Sequence, residues 1–251
     1  MAIGIGIGII FALGTPAAPT PLFGSGAMVS TSAAAGSATA IDWFVASGAL
    51  RRYRSDLGVT LVGSDVSALA DQSGNGNDLA AAANRPNIDT GGAIDKIVFT
   101  KAQVEHLDGA AFAPPAAYTF SLIGATRALS TNSILVDGDS SSSWFMDLSA
   151  TEWRLQQGAE LLLHPDGDTA LHHWDAGWDG ANVRLRVDGG AFSIAAKATV
   201  GGDGLGEFTL GAGNGYFGSD LDFYEFVFWP TALGATDLAV MRAYVTARYG
   251  V

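Results

Sequence analysis

Hydrophobic and polar positions alternate over much of the chain beyond residue 41. Val183, Leu185 and Val187 alternate with Arg184, Arg186 and Asp188, and Asp188-Gly189-Gly190 then supplies a turn that requires positive φ. Tyr118, Phe120 and Leu122 alternate with Thr119 and Ser121. Ile134 to Val136 runs into Asp137-Gly138, Trp144, Met146 and Leu148 fall on alternate positions, and Trp153 and Leu155 follow. A period of two puts successive side chains on opposite faces of a strand. Phe223 to Trp229 is almost continuously apolar, as in a strand buried on both faces. Turn signals recur at roughly 8 to 15 residues, which predicts a sandwich or jelly roll rather than βαβ units. One helix is predicted near the C-terminus. Thr236 caps it, Leu238, Met241, Tyr244, Val245 and Arg248 follow at helical spacing, and Gly250 ends it.

The first 41 residues follow a different pattern. Ile3, Ile5, Ile7 and Ile9 alternate with Gly4, Gly6 and Gly8, and Phe11 follows. This predicts a strand with one apolar and one bare face, since a helix would carry three interior glycines at about 1 kcal/mol each. The apolar run is too short for a membrane-spanning helix, and no basic stretch of a secretory signal precedes it. Thr15-Pro16-Ala17-Ala18-Pro19-Thr20-Pro21 reads as an extended spacer, and residues 24–40 as a Gly/Ser/Ala/Thr linker. The predicted organisation is an extended uncharged anchor arm and linker over 1–40 and one β domain over 41–251.

Charge sharpens the division. All 13 Lys and Arg and all 25 Asp and Glu lie from Asp42 onward, giving a net charge of −12. An acidic chain lacks the basic face that a phosphate backbone demands, so no nucleic-acid partner is expected. With no cysteine, disulfides, thiolate zinc sites and cysteine nucleophiles are excluded. An uncharged arm suits burial against a partner, where an unpaired charge would be costly.

The run Ser64 to Asp78, with Asp71-Gln72-Ser73-Gly74-Asn75-Gly76 at its centre, closely resembles a signature of LamG-like, concanavalin A-like jelly-roll domains. Further blocks follow in the order expected of such domains. They are Arg85-Pro86, Ile97-Val98-Phe99, Leu107-Asp108-Gly109, His172-His173-Trp174, Trp178-Asp179-Gly180, Val183 to Gly189, and a closing Tyr224 to Leu233 with its helix. Leu69 stands where such domains often carry tryptophan, and Lys101 where they often carry glycine. The resemblance covers about 41–251. It implies an all-β, concanavalin A-like jelly-roll sandwich with a short C-terminal helix. Domains of this kind occur in secreted bacterial proteins and in virion proteins of tailed bacteriophages, and the Ile-Gly leader resembles the start of phage accessory proteins.

Several clusters carry candidate chemistry. Asp71, Ser73 and Asn75 place oxygens at alternate positions of a calcium-loop-like pattern, although Ala82 stands where a bidentate glutamate would close it. The other reading is an Asx/Gly turn bonding its own backbone. Asp137-Gly138-Asp139 and Asp166-Gly167-Asp168 read as turns. His172 and His173 are adjacent, so in a strand they face opposite sides and cannot chelate together. Sugars stack on exposed aromatic rings flanked by carboxylates and amides. Trp174, Asp175, Trp178, Asp179, Asn214 and Tyr216 are the candidate sugar ligands, against a core role for the same tryptophans. Asp220-Leu221-Asp222-Phe223-Tyr224-Glu225 lacks the spacing of a glycosidase carboxylate pair, because Asp222 and Glu225 would face opposite sides of a regular strand.

These features lead to one functional expectation. The chain is a non-enzymatic virion structural or accessory protein, on head or tail, displayed at the virion surface. It is anchored to other virion proteins through residues 1–40, with Ile3, Ile5, Ile7, Ile9 and Phe11 as the assembly anchor. It is present as a homo-oligomer or in several copies, and its jelly roll serves adhesion to host-surface polysaccharide. The alternative is a secreted bacterial carbohydrate-binding module. A glycoside hydrolase is a third reading, for which no carboxylate pair is visible.

Overall fold

The structure, a computed structural model, describes residues 43–81, 83–110, 115–129, 133–138, 144–149, 152–157, 160–165, 167–197, 208–213 and 217–251. The anchor residues Ile3, Ile5, Ile7, Ile9 and Phe11, and the candidate ligands Asn214 and Tyr216, lie outside the described residues.

The first element among the described residues is a one-turn helix, α1 (Trp43–Ala46). The first nine strands are β1 (Arg51–Arg54), β2 (Val59–Val62), β3 (Asp65–Leu69), β4 (Leu79–Ala80), β5 (Asn87–Asp89), β6 (Lys96–Phe99), β7 (Leu107–Gly109), β8 (Tyr118–Thr126) and β9 (Ser133–Asp137). There follow β10 (Trp144–Ser149), β11 (Glu152–Gln157), β12 (Glu160–His164), β13 (Leu171–Trp178), β14 (Asn182–Val187), β15 (Ser193–Ala196), β16 (Phe208–Leu210), β17 (Ala212–Gly213), β18 (Phe217–Gly218) and β19 (Leu221–Trp229). Helix α2 (Ala235–Tyr249) closes the chain.

The strands form a two-layer antiparallel β-sandwich. One layer runs β19–β8–β13–β14–β15, with β1 and β6 end to end along the free side of β19 and β5 beside β6. The other runs β2–β3–β4–β7–β16–β9–β10–β11–β12. Alternation decides what fills the space between them. Tyr118, Phe120 and Leu122 of β8, Trp174, Ala176 and Trp178 of β13, and Val183 and Leu185 of β14 point inward. They meet Leu107, Met146, Trp153, Leu155, Phe208 and Leu210 of the other layer. Rings interlock across the gap: Trp153 on Trp174 at 4.6 Å, Phe208 on Phe226 at 4.8 Å. Each such ring contributes about 2 to 3 kcal/mol by leaving water.

Two positions demand glycine. A Cβ on Gly177 would collide with the carbonyl oxygen of Tyr118 on the paired strand. Asp188 (φ 52°) and Gly189 (φ 72°) both adopt positive φ between β14 and β15, the two-residue turn that the Asp-Gly-Gly sequence predicts.

Helix α2 ends as expected, at Gly250 in the left-handed region, its N–H bonded to Thr246 O. Its start differs. Gly234 is the N-cap and Thr236 lies inside the first turn, so the threonine hydroxyl is not the cap. The helix buries Leu238, Met241 and Val245. It lies on the outer face of the β19 layer, which is therefore buried on both sides. Trp229 belongs to this second, outer cluster with Trp43, Phe44 and Tyr244. No helix among the described residues is long and apolar enough to cross a membrane.

Candidate functional site

The sequence-derived candidates resolve first. Asp71 Oδ1 accepts hydrogen bonds from Arg52 N at 3.0 Å and Ser73 N at 2.8 Å. Its Oδ2 accepts from Asn77 N at 3.0 Å and the Ser73 hydroxyl at 2.8 Å. These saturate the acceptor sites of a carboxylate. Asn75 turns its amide nitrogen, a donor, toward Ala49 O, Leu50 O and Ser73 Oγ. Asp71, Ser73 and Asn75 thus take the geometry of the other reading, an Asx turn that grips the chain entering β1. Ser73 and Asn77 reach Leu50 O, and Tyr53 OH donates to Asn77 O. Among the described residues, no group of three or more His, Asp or Glu side chains is placed to hold a metal ion.

The tryptophan–aspartate candidates are corrected as a stacking site for the same kind of reason. Trp174 is 0% and Trp178 6% exposed, inside the sandwich. Asp175 follows Trp174 on a strand and so faces the other way. Asp179 accepts hydrogen bonds from Ala181 N and Asn182 N in the turn after β13. The four residues share no surface on which a sugar ring can lie.

Asp175 does join a buried trio with Ser121 and His173 that has the composition of a nucleophilic triad. The arrangement is wrong for one. A triad needs the imidazole to bridge serine and carboxylate through its two nitrogens. Here His173 Nε2 faces both Asp175 Oδ1, at 3.0 Å, and Ser121 Oγ, at 3.4 Å, while the Ser121 hydroxyl donates directly to Asp175. Burial alone would push the Asp175 carboxyl up. The charge and hydrogen bond of His173, the Arg186 guanidinium and the Ser121 hydroxyl outweigh it and hold the carboxyl at about 2. All three residues are buried. His172 points the opposite way, against Trp153 and Trp174, with Nδ1 on Asp188 and Nε2 on Asp168, both at 2.8 Å.

A different cluster meets solvent. In β19 the register against β8 shifts between Phe223 and Glu225, so Tyr224 is an extra, bulged residue. The bulge turns Phe223 and Phe226 both into the core. Asp222 and Glu225 consequently leave on the same face, whereas a regular strand would separate them. They do not make a free carboxylate pair. Asp222 is held by Lys96 at 2.6 Å and Arg127 at 3.1 Å. Glu225, 0% exposed, pairs with Arg52 Nε at 2.8 Å and accepts from Tyr244 OH and Tyr249 OH, each at 2.6 Å. Burial, followed by the Glu225 charge, pushes both tyrosine hydroxyls well above their ordinary pKa.

Tyr224 stands where β1 ends and β6 begins. Ser55 N donates to Tyr224 O, and the Ser55 hydroxyl donates to Asp95 O. The half-buried rings of Tyr224 and Tyr249 meet edge to face, 6.0 Å between centroids. Around them lie Arg54, which forks Asp56 through Nε (3.0 Å) and Nη2 (2.9 Å), and Arg248, which bonds Asp56 through Nη2 and Tyr249 OH through Nε. Lys96, bound to Asp222 and near Asp89, borders the other side. Burial pushes the Asp56 carboxyl up, but the two guanidiniums outweigh it and keep it below its usual range. The strip therefore presents two half-buried rings, Tyr249 with the Arg248 guanidinium over it, edged by fixed charged donors and acceptors. Tyr224 lies inside an apolar run, and only the bulge frees it.

No family model matches the chain, and no curated protein matches it in sequence. Solved structures share its fold. Domain 4 of AbnA, an extracellular arabinanase from Geobacillus stearothermophilus, in complex with arabinotriose, is 14% identical. The match covers 78% of this chain and 98% of that one, with a TM-score of 0.58. The binding domain of botulinum neurotoxin DC, in complex with rat synaptotagmin II, is 10% identical over 82% of this chain, with a TM-score of 0.61. A botulinum neurotoxin type C structure, whose cell entry depends on two ganglioside molecules, is 9% identical with a TM-score of 0.61. The match covers about half of the neurotoxin chains, 53% and 52%. At these identities the likeness establishes the β-sandwich.

Proposed function

We propose that this chain is a non-enzymatic binding module that takes carbohydrate on the Tyr224–Tyr249 strip. The observation that carries this is the pair of half-buried tyrosine rings, Tyr249 held by Glu225 and Tyr224 raised by the bulge, edged by Arg54, Asp56, Arg248 and Lys96. Ring faces take the apolar side of a sugar, and fixed charged groups take its hydroxyls. The reading is supported by the sandwich domains of like fold, one solved with arabinotriose and one dependent on gangliosides. It is consistent also with the cations that hold Asp175, Asp222 and Glu225.

The same proposal extends to the uncharged segment 1–40, which anchors the module in a larger assembly, displayed on a virion surface in several copies. The absence of any charge before Asp42 supports this part. A secreted carbohydrate-binding module shares the sugar site and differs only in what the leader does.

A glycan array probed with the full chain and with Tyr224→Ala tests the site. Binding by the parent that falls at least about tenfold in the variant is expected, and equal binding by both overturns the assignment. Removing residues 2–21 tests the anchor. The truncated chain should keep its glycan binding and no longer enter particles, and normal incorporation overturns the virion reading.

A further inference from the structure

The charges around the strip say which sugars it takes, an inference that rests on the carbohydrate reading above. Arg54 and Arg248 converge on one carboxylate, Asp56. That node holds two cations and one anion, in a chain whose net charge is −12. The side chains of Arg54, Arg248 and Asp56 keep 20%, 25% and 24% of their exposure, so the node meets water. Arg54 commits Nε and Nη2 to Asp56. Arg248 commits Nη2 to Asp56 and Nε to Tyr249 OH. The Nη1 group of each, with two N–H donors, has no acceptor among the described residues. Neither Nη1 is among the buried atoms lacking a partner, so both face solvent. Asp56 and Tyr249 fix the planes of both guanidiniums before a ligand arrives, which lowers the ordering cost of binding. A neutral sugar would leave the surplus positive charge unmet. A carboxylate would complete it with paired, charge-assisted hydrogen bonds, the geometry a guanidinium fork favours. Leu57, 45% exposed and next to Asp56, adds an apolar edge for the ring bearing that carboxylate.

We infer that the strip selects acidic, carboxylate-bearing sugars, with Tyr224 and Tyr249 stacking the ring and Arg54 and Arg248 receiving the carboxylate. The charge-bearing element is in the ligand, so the preference must depend on salt.

The test is calorimetric titration of the full chain with trigalacturonate and with neutral galactotriose at low and high salt. At low salt the uronate should bind about tenfold more tightly, the worth of roughly one charge-assisted bond pair. Raising the salt to about 0.5 M, where the screening length falls to a few ångströms, should remove most of that advantage. Arg248→Gln should weaken the uronate about tenfold more than the neutral trisaccharide, so that the advantage of the uronate is lost. Arg54→Gln, on β1 rather than α2, should do the same. Tyr224→Ala should weaken both ligands. Equal binding of the two trisaccharides by the parent overturns the acidic preference and leaves the carbohydrate reading standing. Binding of neither overturns both. An advantage that survives both arginine variants overturns the assignment to this node.

Discussion

Glu225 is the residue on which the strip depends, and removing its charge should cost the protein heavily. It is fully buried and balances Arg52, itself only 4% exposed, while holding Tyr244 and Tyr249 by their hydroxyls. The Arg52 guanidinium also lies 3.7 Å over the Phe44 ring, so it is enclosed on every side. In Glu225→Gln the shape is kept and an acceptor remains, but the guanidinium becomes an uncompensated buried charge. Breaking a buried pair in this way costs about 3 to 5 kcal/mol. In a domain of this size each kcal/mol moves the melting temperature by about 2 to 4 °C, so a fall of roughly 6 to 20 °C is expected. Urea denaturation followed by tryptophan fluorescence measures the free energy directly, with Trp43 and Trp229 in the same outer cluster as reporters. Adding Arg52→Met should recover part of the loss, because the stranded cation is gone and the thioether still packs on Phe44. A Glu225→Gln stability within about 1 kcal/mol of the parent would refute the network as the clamp of α2. So would a double variant as unstable as the two single losses added together.

Three further outcomes follow from the polar groups at His172 and Asp71. Burial alone lowers the His172 pKa, but hydrogen bonds to Asp188 and Asp168 outweigh it, so the folded value is raised. Its contribution is therefore complete below the unfolded value of about 6.5 and is lost as pH rises through the folded value. The melting temperature of the parent minus that of His172→Gln should shrink from mildly acid to alkaline pH, and a pH-independent difference refutes the pairing of His172 with Asp168 and Asp188. Asp71→Ala strips four donors of their acceptor and should cost at least about 2 kcal/mol in chemical denaturation. Calcium should leave the melting temperature of the parent unchanged, and a calcium-induced rise would restore Asp71, Ser73 and Asn75 as ligands.

The strands were legible because a period of two survives any tertiary context. Val183 to Val187 and Tyr118 to Leu122 had to present one apolar face, and the Asp188-Gly189 turn had to adopt positive φ. The helix end at Gly250 was legible for the same local reason. Trp174 and Asp175, expected to share a sugar site, face opposite sides because they are neighbours on the strand β13. What the sequence could not settle was which face meets water. The sheet carrying β8, β13 and β19 is covered on both sides, because α1 and α2 return over its outer face. That covering turned an apparent triad into a buried bond network, while the facing sheet enclosed Trp174 and Trp178 in the core. Nor could alternation foresee the bulge at Tyr224, since one extra residue reverses every later side chain in the strand. The bulge, together with arginines from two distant segments converging on Asp56, exists only once β1, β19 and α2 are packed together. Local periodicity determined the strands, and long-range packing decided which of their polar groups were left facing solvent.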